Sequence, residues 1–274
     1  MIGQMKLKKH LSNLVTKPSR ILPNFIVLQG PVGSGKRTLI REELTKLLDA
    51  RLYIPQDLKV DSVRDVIQNS LTNGKNCVYL FADIHEMSLA TQNTLLKITE
   101  EPSRNTYIVA TTTHIGALLP TLQSRATTFM MDCYTSNELK DFTKDPVLLE
   151  ISCTPGEILR LQQLPWKEIL ELCNKIVQDI EKASAPNVLN ITKRVKTLVG
   201  PENYDLLFSL LAYSYSTYMS FQFTTLLTVT TTNWKPVHRS MQILYHYRQL
   251  LKNKSLNKEN LLDILFLELR EVSL

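Results

Sequence analysis

Glycine is scarce in this chain, eight residues in 274, and three of the eight fall close together at Gly30, Gly33 and Gly35. Cysteine is scarcer still: four residues, at 77, 133, 153 and 173, with no C-x-x-C pair and none before position 77. That spacing argues against a disulfide framework and a cysteine-built zinc site, and fits buried thiols of a cytosolic protein. The opening Met1 to Lys9 lacks the apolar run of a secretion signal. Charge is missing from Leu206 to Trp234, a stretch long enough to cross a bilayer, but Ser209, Ser214, Ser216, Thr217, Ser220, Thr224 and Thr225 crowd it with hydroxyls. Such a segment suits a buried helix or helix pair of a bundle better than a membrane span, so no membrane partner is expected.

Apolar residues make up 43% of the chain and charged residues 21%, enough hydrophobic content for two or three packed cores. The formal net charge of +6 is mildly basic, which tolerates nucleic acid nearby without requiring it. Lys6, Lys8, Lys9, Lys17 and Arg20 concentrate positive charge at the start.

The most informative stretch is Phe25-Ile26-Val27-Leu28 followed by Gln29-Gly30-Pro31-Val32-Gly33-Ser34-Gly35-Lys36-Arg37-Thr38 and a helical pattern through Leu48. Strand, glycine loop and helix in that order form the context of a phosphate-binding loop. Glycines let several backbone N–H groups converge, the helix start adds partial positive charge, and Lys36 adds a full one. Gly30, Gly33, Gly35 and Lys36 are therefore the candidate phosphate-binding residues. The position after the lysine should carry a hydroxyl for Mg²⁺, but it is Arg37, and Thr38 follows one step late.

Further along, apolar runs at 52–54, 77–82, 106–111 and 127–131 alternate with helical patterns at 62–71 and 88–98. Strands alternating with helices predict a doubly wound parallel sheet, with ligands beyond the carboxyl ends of the strands. Residues 4–16 predict an amphipathic helix with Met5, Leu7, Leu11, Leu14 and Val15 on its apolar side, and Asn73-Gly74 predicts a turn. After about Tyr134 the β signals stop. Short helical pieces at 138–142 and 146–150, a turn at Thr154-Pro155-Gly156, and longer helices from Trp166 onward predict an all-α remainder. The fold class is thus α/β then all-α, divided as 1–132, 133–164 and 165–274.

The second strand region ends Leu80-Phe81-Ala82-Asp83-Ile84-His85. Downstream stand Asn93-Thr94-Leu95-Leu96-Lys97-Ile98-Thr99-Glu100-Glu101-Pro102 and Leu118-Leu119-Pro120-Thr121-Leu122-Gln123-Ser124-Arg125-Ala126. From Val78 through Arg125 the chain resembles the sliding-clamp-loader members of the AAA+ superfamily, whose N-A-L-L-K-x-L-E-E-P and L-P-T-I-x-S-R-C segments these runs follow. The resemblance implies a P-loop domain, a small helical lid and a C-terminal helical collar. It places Ala82 where motor subunits carry the metal-binding Asp and Asp83 where they carry the catalytic Glu. In Cys153 to Leu159 it places Gly156 where they carry a nucleotide-contacting Arg; Arg160 is near but off register. Arg37, Ala82 and Gly156 all point to lost hydrolysis, while Ser124-Arg125 is intact. In that family this Arg reaches across a subunit interface to a neighbour's nucleotide.

A chain that keeps the finger without the metal ligands resembles the delta-prime type of DNA polymerase III clamp-loader subunit. The resemblance implies no intrinsic ATPase activity, no required cofactor, ATP bound weakly if at all, and no zinc. The family's cysteine-rich module would fall before position 77, where no cysteine lies. Implied partners are gamma/tau-like and delta-like subunits in a heteropentameric ring, the sliding clamp, and primer–template DNA through the assembly, all in the bacterial cytosol. Lys97 and Arg104 could face that DNA, or simply water. Two other readings stay open: an active ATPase using Thr38 and Asp83, and a free-standing DNA-binding protein. Asp83 and His85 could also be a base pair or metal ligands, although no further ligand set is visible. Glu100 and Glu101 are expected to cap or brace a helix end, and Trp166 and Trp234 to pack.

Overall fold

Strands buried on both faces must be sandwiched between helices, and the longest apolar runs here form such strands. The computed structural model describes residues 3–16, 23–72, 75–179, 184–225, 235–251 and 256–273. The described chain divides into two compact units, residues 1–144 with 153–156, and residues 145–152 with 157–274. The Asn73-Gly74 turn and Trp234 lie outside the described residues.

The first unit begins with helix α1 (Met5–Thr16), strand β1 (Phe25–Gln29) and helix α2 (Lys36–Leu39). A single π-helical turn, Ile40–Leu44, joins α2 to α3 (Thr45–Leu47) within the helix that follows the glycine loop. Then come β2 (Arg51–Tyr53), α4 (Val60–Thr72), β3 (Cys77–Phe81), α5 (Leu89–Glu100), β4 (Thr106–Thr112), α6 (Pro120–Gln123), β5 (Thr127–Met130) and α7 (Ser136–Leu139). All five strands run parallel in the order β2-β3-β4-β1-β5, the doubly wound sheet that the alternation predicts. Ile26, Val27, Leu28, Val78, Leu80, Ile108 and Val109 alternate between two buried layers, one on each sheet face. This order sets the ends of β3, β4 and β1 side by side, and the amide of Gly30 donates to the carbonyl of Thr112 at 3.1 Å.

Some local expectations shift. Ile54 is exposed and lies outside β2, which starts at Arg51. On α1, Leu7 and Leu11 are buried but Met5 is 72% exposed, because the apolar side extends one turn beyond the covered surface. The piece expected at 138–142 starts earlier, at Ser136. Thr135 caps it, its Oγ1 accepting from the Glu138 amide while the Glu138 carboxylate accepts from the Thr135 amide.

The second unit is helical: α8 (Pro146–Ile151), the body of α9 (Pro155–Gln162), α10 (Trp166–Asp179), α11 (Ala185–Val199), α12 (Tyr204–Thr225), α13 (Lys235–Leu250) and α14 (Lys258–Ser273). On α10, Ile169, Cys173, Ile176 and Val177 recur at three- and four-residue steps and are buried together. Trp166 is half-buried against this core. The first half of the uncharged stretch is α12, with Leu206, Leu207, Phe208, Leu210, Leu211 and Tyr215 buried on several sides, as expected of a helix enclosed by others. No described helix is long and apolar enough to cross a membrane.

Two buried phenols in this unit make its stability alkali-sensitive. Burial and then Glu259, Asp263 and Glu202 push the Tyr204 hydroxyl up to about 12. Burial and a 2.6 Å hydrogen bond donated to Glu268 do the same for Tyr247. Each phenol is held neutral, so its contribution is complete below the ordinary value of 10 and is lost as pH rises through about 12. Urea titrations at rising pH are expected to show the helical unit weakening above pH 10, with a shallower slope in Tyr204→Phe and Tyr247→Phe.

Candidate nucleotide loop and exposed arginine

The glycine loop adopts the curled form for which its sequence is suited. Gly33 and Gly35 have φ of +78° and +87°, the left-handed region that glycine enters without steric cost. Gly35 stands at the start of α2. What differs from a nucleotide grip is the direction of the charged groups. The Lys36 ammonium donates back to the carbonyls of Gly30 at 2.8 Å and Pro31 at 2.7 Å, and the side chain is buried. Burial lowers its pKa first, Asp83 opposes that shift, and Arg37 adds to it.

The other loop carbonyls are also engaged. Tyr134, just beyond β5, donates its hydroxyl to the Ser34 carbonyl at 3.0 Å. Thr154 donates its hydroxyl to the Val32 carbonyl at 3.0 Å, and the Gly156 amide donates to the Gly33 carbonyl at 3.1 Å. A β-carbon on Gly156 would lie 2.4 Å from the Gly33 Cα, closer than atoms can pack. Thr154-Pro155-Gly156, expected as a turn, is the entry to α9, which starts at Pro155. Proline suits a first helical position because no hydrogen bond is asked of its nitrogen.

At the end of β3, Arg37 donates to the Asp83 carboxylate at 2.5 Å. Asp83 itself has φ of +53°, a conformation that Asp tolerates better than most residues, and its amide donates to Thr111 Oγ1 on β4 at 2.9 Å. A divalent cation does not fit this donor set. Ala82 offers no ligand, Arg37 already neutralises the carboxylate, and Thr38 points from an exposed position on α2. Nor do the described residues bring together three or more His, Cys, Asp or Glu side chains that could hold a metal. His85 lies near Thr113, its Nε2 3.5 Å from the hydroxyl. The Arg37 and Asp83 side chains are 61% and 38% exposed, so water weakens the pair. Arg37→Ala is therefore expected to cost less than about 1 kcal/mol in a urea titration.

Ser124 and Arg125 follow α6, whose position is set by a buried amide. Gln92 on α5 accepts from the Leu119 amide at 2.8 Å and donates to the Met87 carbonyl at 3.2 Å. Leu118 and Leu122 are buried beside it. Arg125 donates to the Thr121 carbonyl at 2.9 Å and pairs with Glu100 at 2.8 Å, with its side chain still 35% exposed. Glu100 thus braces a helix end, by holding Arg125. Arg160 is far from any such role. In the helical unit it makes two hydrogen bonds to the Asp205 carboxylate, at 2.8 and 2.9 Å, and others to Asn203 and the Glu202 carbonyl. Lys97 is exposed on α5.

Sequence reasoning missed Tyr134 and Thr154 because they meet the loop from 100 and 122 residues away, with no local signal. It also missed Thr111 and Gln92; a buried amide beside a short proline-started helix was the available hint for the latter.

The comparisons fit this geometry. Residues 54–134 match the family described as DNA polymerase III, delta subunit, a span that includes Asp83 and Arg125 but begins after the glycine loop. Over 89 residues the chain is 27% identical to DNA polymerase III subunit gamma of Buchnera aphidicola subsp. Schizaphis graminum (strain Sg), covering 31% of this chain and 24% of that protein. The chain thus matches about a quarter of that relative's length. A DNA polymerase III, gamma subunit-related protein of Thermotoga maritima MSB8 shares the fold, with a TM-score of 0.57 and 17% identity over 97% of this chain and 99% of that one. The chain therefore has the AAA+ P-loop fold, and its central segment matches the delta-subunit family of DNA polymerase III.

Proposed function

We propose that this chain is a non-hydrolysing, delta-prime-like subunit of a DNA polymerase III clamp loader. In this reading it sits in a hetero-oligomeric ring with gamma/tau-like and delta-like subunits and turns over no ATP of its own. It lends Arg125, presented after Ser124, to the nucleotide of a neighbour while the ring loads a sliding clamp onto primer–template DNA. The helices of the second unit serve as the collar that holds the ring together.

The observation that supports this reading is the Arg37–Asp83 pair beside Ala82. A fixed guanidinium stands where a metal-dependent site needs an open carboxylate and a hydroxyl, so one monovalent cation of the protein replaces the divalent ion. The same chain keeps a second guanidinium, Arg125, partly exposed at another edge of the domain. Exchange of its Glu100 contact for a phosphate oxygen costs little, because an exposed carboxylate pair is a weak competitor. At a phosphoryl group the planar fork would oppose charge that grows in the transition state.

Purified alone and supplied with ATP and Mg²⁺, the chain is expected to hydrolyse no more than a buffer control. Turnover comparable to motor ATPases, abolished by Asp83→Ala, would select the alternative in which Thr38 and Asp83 serve an active site. Copurification with gamma- and delta-type subunits supports the ring; a monomer that copurifies with DNA alone removes it.

A further inference from the structure

We infer that Thr154 and Gly156, together with Tyr134, latch the phosphate loop shut, and that these residues, more than the altered metal ligands, exclude nucleotide from this chain. This goes beyond the role proposed above, which concerns a neighbour's nucleotide and does not depend on the latch.

Five consecutive loop carbonyls have donors: Gly30 and Pro31 from Lys36, Val32 from Thr154, Gly33 from the Gly156 amide, and Ser34 from Tyr134. A loop that grips a triphosphate must turn its lysine toward the phosphates and keep its amides free to settle on the oxygens. Here the lysine would have to leave two carbonyls in a buried place and strand both. The loop cannot shift to compensate, because Thr154 and Tyr134 hold its middle and its end from distant parts of the chain. Gly156 completes the closure by direct backbone contact with Gly33, an approach open only to a residue without a side chain. By contrast, Arg37 and Asp83 are both well exposed, and their separation costs little. They deny a metal its ligands but do not hold the loop.

The inference separates two changes that would otherwise be expected to act alike. Arg37→Thr restores the missing hydroxyl and frees Asp83, yet leaves the latch intact. The double variant Tyr134→Phe with Thr154→Val removes two hydroxyls at nearly constant volume and leaves every charged group in place.

The test uses the full chain and ATP as the probe, with and without Mg²⁺, read by calorimetry, together with hydrogen exchange at the amides of residues 30–36. Wild type and Arg37→Thr are expected to take up no ATP at millimolar concentration. The loop amides of the double variant should exchange roughly tenfold faster or more, since each hydroxyl contributes one net hydrogen bond to closure. Adding Arg37→Thr to the double variant should then give measurable ATP binding. ATP uptake by wild type or by Arg37→Thr alone would overturn the inference. So would unchanged exchange in the double variant, or faster exchange with no ATP uptake in the triple variant. None of these outcomes involves Arg125 or a neighbouring subunit, so the latch and the trans role stand or fall separately.

Discussion

Arg125→Ala is expected to lower DNA-stimulated ATP turnover by about a hundredfold or more at the one site it serves. The setting is a complex of this chain with gamma- and delta-type subunits, a sliding clamp and primed DNA. The guanidinium acts on charge that develops during transfer, so kcat should fall while KM for ATP changes little. Lys36→Ala should leave the same turnover unchanged, because this chain's own loop is not a working site. The decisive control is Glu100→Ala. It removes the same 2.8 Å ion pair as Arg125→Ala but keeps the arginine. If Arg125 only braces α5 against α6, the two variants lose the same small stability, under about 1 kcal/mol, and affect turnover alike. If Arg125 works in trans, Glu100→Ala keeps turnover and Arg125→Ala does not. Lysine at 125 should rescue poorly, since an ammonium lacks the planar fork that spans two phosphate oxygens.

Gly156→Ala is expected to destabilise the sheet-bearing unit by about 1–3 kcal/mol, read in urea as the transition that reports that unit. The added β-carbon meets the Gly33 Cα at 2.4 Å and its carbonyl oxygen at 3.1 Å. Both are backbone atoms of a hydrogen-bonded loop and have no rotamer to change. Gly116→Ala serves as the comparison. Its β-carbon would meet only the His114 ring, at 2.8 Å, and an exposed ring can swing away. An equal cost at both positions would mean that α9 does not rest on the loop. The result also bears on how position 156 is understood. By resemblance it is a lost arginine; in the structure it is a place where any side chain collides.

Most of the fold was legible because its signals are local. Runs such as Cys77–Phe81 and Thr106–Thr112 are apolar on both faces, and only a covered parallel strand uses such a run. The stripe of α10 repeats at helical spacing, which required no knowledge of its neighbours. Met5 misled because amphipathic spacing says which side of a helix is apolar, not how far the covering surface extends. Thr154-Pro155-Gly156 misled because proline and glycine together read as a turn, whereas here proline opens a helix and glycine allows contact with the loop.

By itself the sequence determined the α/β sheet with its helical successor, the glycine loop at the end of β1, and the absence of the usual metal-binding hydroxyl and carboxylate. These follow from residue type, period and short spacing, which act within a few residues along the chain. Tertiary structure alone decided where the charges went. Arg37 closes on Asp83 from 46 positions away, Lys36 turns into its own loop, Tyr134 and Thr154 bind that loop from more than a hundred, and Glu100 holds Arg125. Hydrogen bonds and ion pairs depend on distances of a few ångströms, and only the parallel order β3-β4-β1 brings the ends of those separate segments within reach.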